Sequence, residues 1–191
     1  PPRGGRVLDV ATGTGDLALE LARRVGPDGE VIATDFSERM LALARAKAEA
    51  AGAAAVRFEN ANALALPYPD DSFDAATVGF GARNFADLER GLGEMARVVR
   101  SGGRVVVLEI TTPTRPPLSS FFELWFDRAV PALGRLAGDS QAYSYLPNSV
   151  RRFPGPRALA ELMWRQGLGE IRYVLTAGGI IALHVGVVSP R

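Results

Sequence analysis

Apolar positions over roughly the first hundred residues switch repeatedly between two periodicities, one of strands and one of helices. Residues 6–12 (RVLDVAT) form a short apolar run that ends in a Thr/Gly turn and predicts a strand. Leu17, Leu21 and Val25 then recur every fourth position, as one face of a helix does, and Gly26-Pro27-Asp28-Gly29 stops it. Residues 30–35 (EVIATD) predict a second strand, and Ser37 is placed to N-cap a helix reaching Ala50. A third strand is expected over 56–60, a turn-rich loop over 62–72, and a fourth strand over 73–80 (FDAATVGF). Leu88, Leu92, Met95, Ala96 and Val99 keep helical spacing and predict a helix that 101–103 (SGG) ends. Residues 104–110 (RVVVLEI) are continuously apolar and β-branched, as in a strand buried on both faces. This alternation predicts an α/β fold with right-handed crossovers and a parallel sheet.

The pattern then changes. Residues 111–117 carry three prolines and read as a connector; 118–136 read as an aromatic-rich helix, and 138–152 as polar and irregular. A further helix is expected over 156–167, followed by strands over 170–176 and 180–188. The link between them, Ala177-Gly178-Gly179, is short enough only for an antiparallel hairpin. The expected molecule is one domain with a mostly parallel seven-stranded sheet. It divides into a core (6–111), a substrate-side helical segment (112–155), and a closing helix and hairpin (156–188).

A length of 191 residues suits one domain, and 22 basic against 21 acidic residues leave a net charge of +1, with no broad footprint for nucleic acid. The absence of cysteine excludes disulfides, a thiolate nucleophile and cysteine-held zinc or iron–sulfur centres. The one histidine, His184, excludes a multi-histidine metal site, and no metal is expected. The longest apolar run, 178–188, falls well short of the ~20 residues of a membrane span. A cytoplasmic protein is therefore expected.

The segment Asp9-Val10-Ala11-Thr12-Gly13-Thr14-Gly15-Asp16 joins the first strand to the first helix. Gly13 and Gly15 let the backbone turn sharply and approach a ligand, and Asp35 follows about 20 residues after Gly15, placed to accept both hydroxyls of an adenosine ribose. The blander reading is a purely structural turn. NAD and S-adenosylmethionine both fit an adenosine site. Asp16 stands where a pyrophosphate would otherwise sit, which favours the phosphate-free cofactor, and Asp9 and Asp16 suit its cationic methionine half. By fold analogy alone, the terminal hairpin favours a methyltransferase over a dehydrogenase. Asn62 and Ala63 are placed to flank an adenine. Residues 79–85 (GFGARNF) lack the Asn/Asp-Pro-Pro-aromatic segment of enzymes that methylate base amino groups, which again argues against nucleic acid.

The segments VLDVATGTGD, IATDFSERML, NANALALPYPDDSFDAATVGFGARNF, RVVRSGGRVVVLEIT, YSYLPNSVRRFPG and TAGGIIALHVG, in this order, closely resemble the UbiE/MenG family of ubiquinone/menaquinone biosynthesis C-methyltransferases. The resemblance implies a class I S-adenosylmethionine-dependent fold and C-methylation of a prenylated quinol, with demethylmenaquinol the expected substrate. It carries cofactor contacts onto Thr14, Asp35, Asn62 and Ala63. Gly79 stands where the family often has Ser, and Ser101 where it usually has Pro. A family segment upstream of the glycine loop has no counterpart here, so a cap over the cofactor is expected to be missing. Self-association and peripheral contact with the inner face of the cell membrane are further open expectations.

In the implied reaction, deprotonating a quinol hydroxyl makes the adjacent ring carbon nucleophilic. Arg83 is the leading candidate to stabilise that phenolate, the alternative being an Arg paired to a carboxylate or at the surface. His184 is a candidate base, although its apolar strand suits a core histidine better. Glu109 faces the same rim and could orient the linker backbone. Asn84, Tyr143, Tyr145 and Arg151 are candidates for the quinol pocket. Phe121, Phe122, Trp125 and Phe126 suit either core packing or a surface for an isoprenoid tail.

Overall fold

The computed structural model describes residues 1–53, 55–113 and 149–190. Strand β1 (Arg6–Val10) is buried over almost its whole length, which is why its sequence shows no polar alternation. Helix α1 (Asp16–Val25) turns Ala18, Leu21, Ala22 and Val25 inward, and Gly15 opens it at φ 83, a left-handed conformation that suits glycine. After β2 (Glu30–Asp35), helix α2 (Glu38–Ala50) begins at the expected cap, where the Ser37 hydroxyl accepts from the Met40 N–H at 3.4 Å. Strands β3 (Val56–Asn60) and β4 (Phe73–Gly79) follow, and then helix α3 (Leu88–Val98), which Asp87 caps by accepting from Arg90 N–H at 3.0 Å.

Strand β5 spans Val99–Ile110 and so starts earlier than the sequence suggests. The Ser-Gly-Gly stretch lies within the strand as an excursion. Val99 pairs with Phe73, and the next matched pair is Arg104 with Ala75. Gly103 is required there, since a Cβ would come within 2.5 Å of Val99 Cγ1 and 2.7 Å of the Asp74 carbonyl. Helix α4 (Pro156–Arg165) buries Leu159 and Met163, and β6 (Leu168–Thr176) and β7 (Ile181–Val188) form the expected antiparallel pair. The aromatic-rich helix expected over 118–136 lies outside the described residues.

The seven strands run in the order β3-β2-β1-β4-β5-β7-β6, parallel except for β7, which is antiparallel to both neighbours. The expected fold is thus the observed one. Alternate strand residues feed two cores. Val7, Val31, Ala33 and Ala75 pack beneath α1, whereas Leu8, Ile32, Val78, Val105 and Val107 join Leu92 and Met95 of α3 and Leu159 and Met163 of α4 on the other face. Among the described residues, no helix is long and apolar enough to cross a membrane.

Candidate active site

Sheet order reverses between β1 and β4: the chain leaves β1 toward β2 on one side and returns to β4 on the other. In open α/β sheets the crevice at the carboxyl ends of such strands is where ligands bind. Here it holds a cavity of about 630 Å³, lined by Gly13, Asp35, Asn62, Ala63, Gly81 and Asn84 among others. That volume suits a nucleoside-sized ligand.

The floor is set by two close backbones. Gly81, after β4, lies against Ala11, after β1, so that a Cβ at Gly81 would fall 2.6 Å from Ala11 Cβ. Gly13 faces open space at φ 56, so no side chain stands between its backbone and a ligand. Gly15 is held for packing instead, with Ala44 and Phe58 each 3.1 Å from where its Cβ would stand.

Asp35 lines the crevice at the end of β2. One carboxylate oxygen accepts from Gly13 N–H at 2.8 Å and the other from Ser37 N–H at 2.9 Å. Each oxygen retains a lone pair for a hydroxyl. Asp35 therefore both shapes the glycine loop and faces the ligand space. Asn62 lines the cavity while its Oδ1 accepts from Leu64 N–H at 2.9 Å, with Ala63 beside it.

Asp9 sits beneath the loop, 1% exposed, accepting from the Thr12 hydroxyl at 2.6 Å and the Thr77 hydroxyl at 2.5 Å. Burial pushes its carboxyl up to about 6, opposed by those two hydroxyls and assisted by the nearby charge of Asp35. It is not among the described lining residues. Thr14 is also off the wall: its hydroxyl donates to Asp16 at 2.8 Å and accepts from Lys47 at 3.2 Å. Lys47 reaches Asp16 as well, at 2.8 Å, and its bond and that of Thr14 hold the Asp16 carboxyl below its ordinary range. The charge of Asp16 is thereby met within the protein, which weakens the sequence argument that it repels a diphosphate.

On the opposite wall, a short helical turn at Ala82–Asn84 follows β4. Asn84 lines the cavity together with Phe80 and Phe85, while Arg83 points behind the wall. Its Nη1 donates to Glu109 at 2.6 Å and to the Phe80 carbonyl at 2.5 Å. The carboxylate-paired alternative for Arg83 is thus the observed arrangement.

His184 is fully buried in β7, with Nε2 2.8 Å from the Pro156 carbonyl and its ring stacked on Tyr173 at 5.0 Å. Burial lowers its pKa, and it does not line the cavity. The structure accordingly places it among core groups. Arg151 is exposed in the helical turn at 149–152, away from the described lining. Tyr143 and Tyr145, with Phe121, Phe122, Trp125 and Phe126, lie outside the described residues. Sequence reasoning missed Phe36, Met40 and Leu64 as wall residues. Phe36 is 79% exposed, an unusual position for a phenylalanine, and no periodicity marks it.

A model of the ubiE/COQ5 methyltransferase family matches residues 1–188. The chain belongs to that family. It is 52% identical over 182 residues to the demethylmenaquinone methyltransferase of Thermus thermophilus, covering 95% of this chain and 81% of that protein. It is 49% identical over 182 residues to the demethylmenaquinone methyltransferase of Deinococcus radiodurans (95% and 74% of the two chains). With the ubiquinone/menaquinone biosynthesis C-methyltransferase UbiE of Geobacter sulfurreducens it shares 43% identity over 184 residues, 96% of this chain and 72% of that protein. A crystal structure of a SAM dependent methyltransferase from Aquifex aeolicus superposes with a TM-score of 0.72 at 20% identity, over 97% of this chain and 83% of that one, a likeness of fold.

Membership makes S-adenosylmethionine the cofactor of this family member, and the cavity fits it. Gly13 offers bare backbone, Asp35 offers a carboxylate at the rim, and the described lining contains no Lys or Arg that would suit a diphosphate.

Proposed function

We propose that this enzyme transfers a methyl group to a ring carbon of a prenylated quinol, converting demethylmenaquinol to menaquinol. The observation that carries the reading is the Ala82–Asn84 turn, which belongs to the family-specific stretch FGARNF and supplies Asn84 to the cavity wall facing Gly13 and Asp35. A demethylmenaquinol is favoured over a ubiquinol precursor because the relatives at 52% and 49% identity are both named for demethylmenaquinone.

When bound, S-adenosylmethionine supplies an electrophilic methyl on a sulfonium. Asp35 holds the ribose hydroxyls, and Asn62 and Ala63 flank the adenine. Gly13 lends its bare backbone, and Asp9 and Thr14 hold the loop from behind. The quinol loses a hydroxyl proton to solvent, which makes the adjacent ring carbon nucleophilic toward the methyl that the bound cofactor would supply, with S-adenosylhomocysteine as the leaving group. Loss of the ring-carbon proton, again to solvent, restores aromaticity. Asn84 contacts the quinol oxygen, and Arg83, fixed on the same turn, supplies positive charge that favours the phenolate. The substrate is drawn from the lipid phase, with the enzyme in the cytoplasm, peripheral to the membrane.

The test is incubation with S-adenosylmethionine carrying a labelled methyl and with chemically reduced demethylmenaquinol. Product mass and fragmentation should place the label on a ring carbon, and the oxidised quinone should be inert. Label on oxygen would instead favour an O-methyltransferase.

A further inference from the structure

Glu109 ends β5 as a carboxylate 1% exposed, a costly position unless its oxygens are met by donors. Three N–H groups meet it. Arg83 Nη1 and the Ile110 backbone N–H donate to one oxygen, at 2.6 and 2.9 Å, and the Arg83 backbone N–H donates to the other at 3.1 Å. Arg83 is therefore gripped twice, at its backbone and at its head group. The same guanidinium nitrogen reaches back to the Phe80 carbonyl at 2.5 Å, across the turn it belongs to. Phe80 has φ 57, and its N–H continues the ladder to Leu108 at 2.8 Å. The whole wall from Phe80 to Asn84 is thus folded over one buried carboxylate on the neighbouring strand. Among the described residues Arg83 Nε is buried with no hydrogen-bond partner, so the contacts made through Nη1 are what fix the head group.

We infer that Glu109 is a positioning residue for methyl transfer: it fixes the Ala82–Asn84 turn, holds the Arg83 charge directly behind the cavity wall and so sets Asn84 on the face toward the quinol. This rests on the proposed role of Arg83 in favouring the phenolate. The chemistry of the grip is specific to a carboxylate. An amide keeps one acceptor but turns an N–H₂ toward either Arg83 N–H or the guanidinium, donor against donor. Glu109→Gln should therefore fail to substitute although its shape is preserved.

The experiment compares the wild type, Glu109→Gln, Arg83→Met and the double variant. Each is measured for S-adenosylhomocysteine affinity by calorimetry and for the pH dependence of quinol methylation. Glu109→Gln should lower kcat by about tenfold or more while the affinity for S-adenosylhomocysteine changes by less than about twofold. Its rate should rise with pH at a higher pH than the wild type, because a displaced Arg83 favours the phenolate less. A merely structural carboxylate would not move that profile. If Glu109→Gln does not fold, the double variant, which leaves no uncompensated buried charge, carries the test. Because Glu109 acts through Arg83, the double variant should match Arg83→Met alone. Glu109→Gln at wild-type rate with an unchanged pH profile overturns the positioning role, as does a folded double variant far below Arg83→Met. A wild type that methylates no quinol at all overturns the functional reading beneath it instead.

Discussion

Thr77 of β4 donates its hydroxyl to the buried carboxylate of Asp9 on the neighbouring strand β1, at 2.5 Å. That bond and its partner from Thr12 only partly offset the burial that pushes Asp9 from 3.8 to about 6. A folded-state value above the unfolded one means the folded chain holds this proton more tightly. The contribution of Asp9 to stability is therefore fully present below about pH 4 and is lost as pH rises through about 6. Asp9→Asn removes the titration. The stability difference between wild type and variant should move by about 2 kcal/mol against the wild type between pH 4 and pH 7 in denaturant titrations. A flat difference would contradict the assignment.

Gly81→Ala should weaken cofactor binding without unfolding the protein. The added Cβ meets Ala11 Cβ at 2.6 Å, and the two backbones it pushes apart form the cavity floor. Calorimetry with S-adenosylhomocysteine should show a loss of about tenfold, or ~1.4 kcal/mol. Unchanged affinity would mean that this close approach does not shape the cofactor site.

Asp35→Ala acts twice, since it removes the carboxylate at the ligand face and frees the N–H groups of Gly13 and Ser37. With ~1.5–3 kcal/mol expected for a hydrogen bond to a charged group, affinity for S-adenosylhomocysteine should drop by about tenfold to a hundredfold. Circular dichroism should stay that of the wild type, because the sheet pairing of β2 does not use this side chain.

His184→Gln separates a core histidine from a base. Burial lowers the His184 pKa, so the unfolded chain takes up the proton first and stability is lost as pH falls below about 6.5. The variant should show a shallower acid destabilisation and keep kcat within about threefold of the wild type. A fall of about a hundredfold in kcat with the fold intact would return His184 to the chemistry.

Strands were legible because both faces are covered: Leu8 and Val10 pack on one side and Val7 on the other, so apolar runs alone mark β1. Ser37, Gly13, Gly15 and Asp35 were legible because their roles are local in sequence, at caps and turns. Partners brought together by sheet pairing were not. Thr77 meets Asp9 only because β4 lies beside β1, and Lys47 meets Asp16 only because α2 lies beside the start of α1. The excursion after Val99 was hidden for another reason. Ser-Gly-Gly reads as a helix stop, yet α3 had already ended and the same glycines bend a strand. For Arg83 a carboxylate partner was one of the alternatives, but its identity was not legible, because Glu109 comes from β5 and meets the turn after β4 only through the sheet.

The placement of β7 between β5 and β6 bears on how the molecule is made. β6 leaves the ribosome before the strand that must come to lie between it and β5. Until Ile181–Val188 has been threaded into that gap, the hydrogen-bonding edge of β5 is open and the Val105–Val107 stretch has no partner on that side. Such an edge is a template for pairing with another chain. A nascent chain stalled just short of residue 181 is therefore at its stickiest, because completion of the sheet waits on a strand made after both of its neighbours.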